Sequence, residues 1–251
     1  MLRVLFLSAA TVVCAAAPAL AQTASPQSWT GPYVGVNIGA GAGDLSYPFA
    51  GASAATSNTI SGKFRQSSSG GLIGGQIGYD YEMRNGVVLG LVTDLDGSSI
   101  AGDSHFSSLD SDGNVYGDRL KTQIDALGTV RGRVGMAMFG GRLLPYVTGG
   151  LAYGGVSTTA SQTCSACASG AGVSNYASQY DNRTGWTVGV GADYALNSHL
   201  SLRTEYLYTD LGRQTLSDGG TFNAPGITVD DATASVNTSA NILRVGVNYK
   251  F

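Results

Sequence analysis

The sequence predicts an all-β fold, in which eight antiparallel strands run up and down and close into a barrel within a membrane. Three observations predict it. Eight stretches of the chain alternate apolar with polar residues. The segments between them are alternately long and polar, or very short. The chain stops on an aromatic residue directly after the last stretch. Strands of about ten residues joined in this way are typical of transmembrane barrels.

The composition agrees with this fold and argues against other classes of protein. Only 12% of the 251 residues are charged, where roughly 25% is usual for globular proteins. Strands that turn apolar residues to lipid and polar residues inward give such a composition without any long apolar run. The net charge of −3 argues against nucleic acid as a partner.

The first residues form a targeting segment. Arg3 supplies the positive charge, residues 4–17 form the apolar core, and Ala19 and Ala21 provide the small residues of a cleavage site. We therefore expect a signal peptide at 1–21 and a barrel at 22–251. An uncleaved helical anchor is the alternative, but Pro18 interrupts it. Beyond this segment no apolar run approaches the roughly 20 residues that a helical span requires, so a membrane crossing has to use strands.

The eight strands are defined by their period-two alternation. Two valines, Val88 and Val92, interrupt the otherwise polar face of the third strand. In chain order, the strands and leading residues of their apolar faces are 33–43 (Val34, Val36, Ile38), 72–83 (Ile73, Ile77, Tyr79), 87–96 (Leu89, Leu91, Leu95), 121–138 (Ile124, Val130, Val134), 144–155 (Val147, Leu151, Tyr153), 185–196 (Trp186, Val188, Val190), 199–211 (Leu200, Leu202, Tyr206) and 241–251 (Leu243, Val245, Val247).

The connections alternate between two kinds. The tight turns are predicted at 84–86, 139–142 and 197–198, and the first contains Asn85-Gly86, the strongest two-residue hairpin signal. Since outer-membrane barrels have short periplasmic turns and long external loops, the sequence predicts three short periplasmic turns and four long external loops. The loops are 44–70, 97–120, 156–182 and 212–239.

Aromatic residues give an independent check on this assignment. On the apolar faces they form two belts, which is the distribution that amphipathic rings adopt at the two membrane interfaces. Near the turns and the C-terminus lie Tyr79, Tyr81, Tyr194, Tyr249 and Phe251, and near the loops lie Tyr153, Trp186, Tyr206 and Tyr208.

Alternation alone does not decide which face points inward, and a soluble barrel of the lipocalin type would reverse the choice. Eight strands enclose an interior only just wide enough for side chains, and the polar face is rich in glycine, whereas the apolar face is bulky. We therefore expect the apolar face outward. The inward face then carries Asp80, Glu82, Asp94, Asp96, Asp125, Arg131, Arg133, Asp193, Arg203, Glu205, Arg244 and Lys250.

Buried charges have to pair or they are strongly unfavourable, so we predict a charge network inside the barrel. Its main role is expected to be structural, in packing the interior and fixing strand register; an ion path or gate is the alternative. The predicted members are Asp94, Asp125, Arg131, Arg133, Arg203, Glu205 and Arg244.

The last strand carries a second signal. Arg244, Gly246, Tyr249 and the terminal Phe251 resemble the C-terminal signal of bacterial outer-membrane barrels. The resemblance implies recognition by the barrel assembly machinery in the periplasm.

Other motifs point only weakly to chemistry. Cys164 and Cys167 would lie in an external loop of an oxidising compartment, where a local disulfide is expected and free thiols are the alternative. Zinc would need two further ligands. Residues 110–114 have oxygen ligands at alternate positions, as a calcium loop would, but Val115 stands where that loop needs glycine and Lys121 where it needs an acidic residue. His105 lies near serine and aspartate, but in a serine-rich loop such neighbours are common, so we expect neither catalysis nor a cofactor.

Several stretches together resemble the small outer-membrane β-barrel family of outer-membrane immunogenic and opacity-type surface proteins. The resemblance implies an abundant, surface-exposed barrel in the outer membrane of a Gram-negative bacterium. The stretches are Trp29 to Gly35, Gly75 to Asp80, Arg131 to Gly135, Leu144 to Gly150, Gly185 to Gly189 and Arg203 to Tyr208.

Three functions remain open at this point: a structural surface barrel, a narrow passive channel, and an adhesin or receptor that acts through its loops. The expected partners are outer-membrane lipids and lipopolysaccharide, the barrel assembly machinery and periplasmic chaperones. Host or other surface ligands at the loops would accompany the third function.

Overall fold

The chain is described by a computed structural model that covers residues 28–52, 59–109, 115–164, 174–217, 222–224 and 227–251. Within these residues, no helix is long and apolar enough to span a membrane. The strands are β1 (Gly31–Ala52), β2 (Thr59–Glu82), β3 (Val87–Leu109), β4 (Val115–Met136), β5 (Leu143–Cys164), β6 (Ser174–Ala195), β7 (Leu200–Ser217), β8 (Phe222–Ala224) and β9 (Ile227–Lys250).

Eight of these strands form a closed antiparallel barrel, as predicted. Each pairs with its neighbour in chain order, and β9 closes the ring by pairing with both β7 and β1, where Tyr33 lies opposite Lys250. The three-residue β8 pairs only with β9 and lies outside the ring. The predicted eight-stranded up-and-down barrel is therefore confirmed.

The strands are longer than predicted. The eight barrel strands contain 18 to 24 residues, and much of each predicted long loop continues as paired strand; β1 and β2, for example, stay in register from Gly31 opposite Asp80 to Ala52 opposite Thr59. These stretches are rich in Ser, Thr, Gly and Ala, a composition that favours loops when the sequence is read alone. The prediction of long loops at 44–70, 97–120, 156–182 and 212–239 was wrong in extent.

The three turns lie at the predicted positions. At the first, Gly86 adopts a φ of +80° and its N–H donates to the Met83 carbonyl oxygen at 2.9 Å. At the second, Phe139, Gly140 and Gly141 all have positive φ. At the third, the Asn197 Oδ1 accepts hydrogen bonds from the backbone N–H groups of the two residues that follow Ser198. Because these turns are so short, the two strands that each turn joins are paired from the residues next to the turn.

Burial shows which face points inward. Apolar side chains of the alternating stretches are exposed, such as Ile73 at 67% and Leu151 at 70%, whereas Asp94 and Arg131 are almost fully buried. Both predicted aromatic belts lie on the outer surface, except that Tyr208 is half-buried against Trp186, with ring centroids 5.5 Å apart. The apolar face therefore surrounds the barrel, and the charged face fills its interior, which we call the lumen.

Two of the bulges in the described strands change the alternation of β3 and β4. The register shifts between Gly97 and Ile100 where β3 pairs with β4, and between Ile124 and Ala126 where β4 pairs with β5. Because each irregularity offsets the period-two pattern, Ile124 points into the lumen and is 4% exposed. Its predicted place on the outer face was wrong.

The segment before β1 is fixed to the turn-side mouth of the barrel. The backbone N–H of Trp29 donates to Glu82 Oε2 at 2.9 Å, and the Thr30 hydroxyl accepts the Glu82 backbone N–H at 2.9 Å. Lys250 Nζ donates to the Ser28 carbonyl oxygen. The Trp29 side chain is thereby buried in the mouth.

Candidate functional site

The lumen contains a layer of five charged side chains at its centre, the central charge layer. Arg131 donates to Asp94 Oδ2 at 2.7 Å and to Glu205 Oε1 at 2.8 Å. Arg244 donates to Glu205 Oε2 at 2.8 Å, and to Asp94 and Asp96 at 2.9 Å each. The five residues come from β3, β4, β7 and β9, so the layer joins strands on opposite sides of the barrel.

A second layer, the turn-side charge layer, lies nearer the periplasmic turns. Arg133 donates to Asp193 Oδ2 at 2.8 Å and to both carboxylate oxygens of Asp80. Arg203 forms a bidentate pair with Asp193, with both distances 2.8 Å. Bidentate guanidinium–carboxylate pairs are among the strongest hydrogen-bonded contacts in proteins, and this layer binds β2, β4, β6 and β7 together.

Two tyrosines hold the arginines of the turn-side layer. The guanidinium carbon of Arg133 lies 5.2 Å from the Tyr33 ring centroid and 4.9 Å from that of Tyr146. Arg203 lies 5.1 and 5.7 Å from the same two rings. The Tyr146 hydroxyl donates to Glu205 Oε1 at 3.0 Å, so the two charge layers form one connected network.

Apolar side chains close the lumen on both sides of this network. The loop-side apolar layer includes Ile100, Leu207 and Ile242, each 1% exposed, and the turn-side cluster includes Trp29 and Leu144. Val88 and Val92, which interrupted the polar face in the sequence, are also buried. Sequence reasoning missed these apolar layers, although the inward position of Val88 and Val92 was a signal for them.

The predicted members of the network lie as follows. The structure brings together Asp94, Arg131, Arg133, Arg203, Glu205 and Arg244. It does not bring in Asp125, which lies at the β4 bulge, is half-buried and accepts a hydrogen bond from the Ser157 hydroxyl. The place of Asp125 in the network is therefore corrected, because the bulge turns it away from the lumen.

The predicted assembly signal divides between the two faces. Arg244 belongs to the central charge layer, and Gly246 lies where a side chain would meet the Val36 carbonyl oxygen and Asn37. Tyr249 and Phe251 are exposed on the outside, with their rings edge to face at 5.2 Å. The outer half of the signal is thus free of lumenal packing.

The remaining motifs stay predictions or lie apart from the lumen. Cys164 ends β5, whereas Cys167 and residues 110–114 lie outside the described residues, as does the signal peptide. His105 is exposed and lies 3.5 Å from Asp103. Within the described ranges, no group of three or more His, Cys, Asp or Glu residues is placed to hold a metal ion.

An exposed ion pair lies on the long hairpin of β3 and β4, above the loop-side aromatic belt. Arg119 Nε lies 3.0 Å from both carboxylate oxygens of Asp103. This hydrogen bond holds the pKa of the Asp103 carboxyl below its usual range. It is a surface contact between paired strands rather than part of a site.

Comparison with known proteins gives a consistent result. Residues 7–251 match the family model described as the outer membrane protein beta-barrel domain. The 31 kDa outer-membrane immunogenic proteins of Brucella melitensis and Brucella suis are each 37% identical over 235 residues, which cover 92% of this chain and 88% of each relative. Among solved structures, the outer membrane protein OprG from Pseudomonas aeruginosa has 14% identity and a TM-score of 0.47, with 90% of this chain and 98% of that chain covered.

Proposed function

Because the chain belongs to the outer membrane protein β-barrel family, we propose that it is a structural, surface-exposed component of the Gram-negative envelope whose lumen is closed by its own side chains. The chain is an integral protein of the cell outer membrane, and its named relatives are outer-membrane immunogenic proteins.

The packed lumen is the observation that supports a structural role over a channel. A pore needs a continuous file of water, but the two charge layers and the two apolar layers follow one another along the barrel. Arg131, Arg203 and Arg244 are at most 2% exposed. A cavity next to the turn-side charge layer has about 20 Å³, which is room for about one water molecule.

The carboxylates of the lumen support no catalytic role. A general acid or base has to reach a substrate, whereas Asp80, Asp94, Asp193 and Glu205 are each buried in contact with arginine. We therefore assign no reaction to the network. Its proposed task is to hold the strands in one register.

The proposed partners follow from the apolar outer face of the barrel, from its last strand and from its loop-side rim. Lipids and lipopolysaccharide would surround the apolar face, while periplasmic chaperones and the barrel assembly machinery would act on the chain before it closes. The exposed Tyr249 and Phe251 support the assembly machinery as a reader of the last strand. Ligands at the external rim would have to bind through the loop tips.

Conductance across planar bilayers tests the closed lumen. We expect purified protein to insert without resolvable current steps, and Arg131→Ala to lose stability without gaining conductance, because the apolar layers remain. Folding is followed in parallel by heat-modifiable migration on gels. Clear steps from the wild type, or an Arg131→Ala variant that folds normally and conducts strongly, would instead make the network a gate.

A further inference from the structure

The central charge layer does not balance its own charge. It contains three carboxylates, Asp94, Asp96 and Glu205, but only two guanidinium groups, Arg131 and Arg244. The turn-side charge layer is balanced, because it pairs two aspartates with two arginines. The network described so far therefore carries one excess negative charge. An uncompensated charge is strongly unfavourable in a low-dielectric interior.

A cluster of oxygen atoms lies on one side of this layer. Among the described residues, Asn37 Oδ1, Gln76 Oε1, Asp94 Oδ1 and Asp96 Oδ1 have no hydrogen-bond partner, and neither do the amide nitrogens of Asn37 and Asn248 beside them. Their residues are between 1% and 4% exposed. Buried polar atoms almost always have a partner. Four buried acceptors beside a layer with one excess negative charge therefore point to a positively charged ligand.

The strand register places the four residues that carry these oxygens next to one another. Gln76 lies directly opposite Asp94, and Asn37 and Asp96 lie on either side of Gly74, as its partners on β1 and β3. The side-chain amide of Asn37 interacts with the Asp96 carboxylate through its N–H group. The four residues thus lie on two adjacent rungs across three neighbouring strands.

The surrounding side chains fix the direction of these oxygens. Gln76 Nε2 donates to Asn248 Oδ1 at 2.5 Å, which leaves Gln76 Oε1 turned away from Asn248. Arg244 contacts Oδ2 of both Asp94 and Asp96 at 2.9 Å, which leaves Oδ1 of each on the other side. A Cβ at Gly74 would overlap Asp96 Oδ1, so the wall keeps this space free for the polar groups.

We propose that Asn37, Gln76, Asp94 and Asp96 bind one monovalent metal cation of the sodium class inside the barrel. Hard cations prefer oxygen ligands of this kind, carboxylates and amide carbonyls. One positive charge neutralises the central charge layer, whereas a divalent ion would leave an excess positive charge beside Arg244. The cation and Arg244 then share the two aspartates from opposite sides. This role is independent of whether the barrel conducts.

Urea unfolding of the mature protein in phosphatidylcholine vesicles tests the site. Sodium chloride is exchanged for choline chloride at constant ionic strength, because choline is too large to fit between adjacent rungs. A ligand that binds only the folded state shifts the equilibrium by mass action. Above half-saturation, each tenfold rise in sodium should raise the folded-to-unfolded ratio of the wild type about tenfold.

Two variants and a control make the result specific. Asp96→Asn balances the central layer and should abolish the sodium dependence. Gln76→Leu keeps every charge but removes one ligand, so it should raise the half-saturating sodium concentration about tenfold or more, since a lost buried contact of about 1.4 kcal/mol is a factor of ten. Asp103→Asn, which alters an exposed carboxylate outside the lumen, should behave as the wild type.

Three outcomes would overturn the proposal. The first is a wild type with equal midpoints in the two salts. The second is full sodium dependence retained in Asp96→Asn, or in Gln76→Leu if the former does not fold. The third is a midpoint insensitive to sodium but dependent on pH only when Asp96 is present, which would assign the excess charge to a proton.

Discussion

Arg131 contacts carboxylates of two strands that are not neighbours, Asp94 on β3 and Glu205 on β7. Its Nε also donates to the Thr129 hydroxyl, which itself donates to Asp94. The side chain therefore crosses the lumen with its donors engaged in a chain of charge-assisted hydrogen bonds. At the scale of single residues, we therefore expect the loss of the Arg131 side chain to lower the stability of the barrel strongly.

Arg131→Ala should lower the free energy of unfolding by about 3–5 kcal/mol, because removing one partner of a buried ion pair leaves the others uncompensated. The urea midpoint in vesicles measures the loss. Arg119→Ala on the same strand is the matched control, since its pair with Asp103 is exposed, and it should leave the midpoint almost unchanged. Equal effects of the two substitutions would contradict a stabilising lumen.

Residue identities in the network could largely be predicted from alternation. Arg131 and Arg133 share a face with period two, and pairing between them and the acids was expected because charges buried inside a narrow barrel have to pair. Asp125 could not be placed, because the bulge between Ile124 and Ala126 leaves no mark in a single sequence. The oxygens of Asn37 and Gln76 were missed because neutral amides carry no charge pattern.

Adjacent glycines on β5 show the two faces at the scale of one strand. A Cβ at Gly150 would collide with the Val130 carbonyl oxygen and the Arg131 backbone, whereas a Cβ at Gly149 would lie 3.5 Å from Thr187 and Val188. Gly150→Ala should therefore cost about 1–3 kcal/mol of unfolding free energy, as overpacking usually does. Gly149→Ala should be close to neutral in the same urea titration. The reverse order would mean that β5 is turned the other way.

The extended hairpin of β3 and β4 allows a test outside the membrane. The hydrogen bond from Arg119 lowers the pKa of Asp103, so its stabilising effect is present above the usual carboxyl range and is lost as the pH falls through the lowered pKa. An NMR titration of the Asp103 carboxyl should find it below that range, and Arg119→Gln should move it back up. An unshifted carboxyl in the wild type would show that the two strands are not paired at this height.

Strand lengths could be predicted only where one face is apolar. In β2 the alternation begins near Leu72, but pairing with β1 continues to Thr59. Beyond the membrane a strand no longer needs an apolar face toward lipid, so the alternation ends while backbone pairing continues. The sequence therefore marks the membrane-crossing part of each strand and not its end.

At the scale of the whole molecule, Phe251 separates assembly from stability. Its ring is 72% exposed, and within the barrel its N–H donates to the Pro32 carbonyl oxygen at 3.2 Å. Removal of Phe251 should hardly change the urea midpoint of refolded protein but should strongly reduce the amount of barrel in the outer membrane of cells. Normal cellular assembly of the truncated chain would remove the proposed role of this residue in recognition.

The closed ring also explains why orientation could be predicted at all. A barrel with eight strands has little interior volume, so a bulky face and a glycine-rich face cannot exchange places. The apolar layers at each end of the lumen were unexpected, since Ile100, Leu207 and Ile242 lie next to outward-facing residues in sequence. Leu207 was hidden because both of its neighbours in sequence are tyrosines, which removes the contrast that alternation relies on, and Ile100 was hidden because it lies in the stretch 97–120 that was predicted to be a loop.

Cysteine labelling at two adjacent positions of β6 tests the arrangement most directly. In a chain whose native cysteines are replaced by serine, Thr187→Cys replaces a fully buried side chain and Val188→Cys one that is 46% exposed. For the folded barrel in vesicles, we expect Val188→Cys to react with a lipid-soluble maleimide, and Thr187→Cys to react with neither lipid-soluble nor water-soluble reagent until the protein unfolds. Rapid reaction of Thr187→Cys with the water-soluble maleimide in the folded state would contradict a packed, closed lumen.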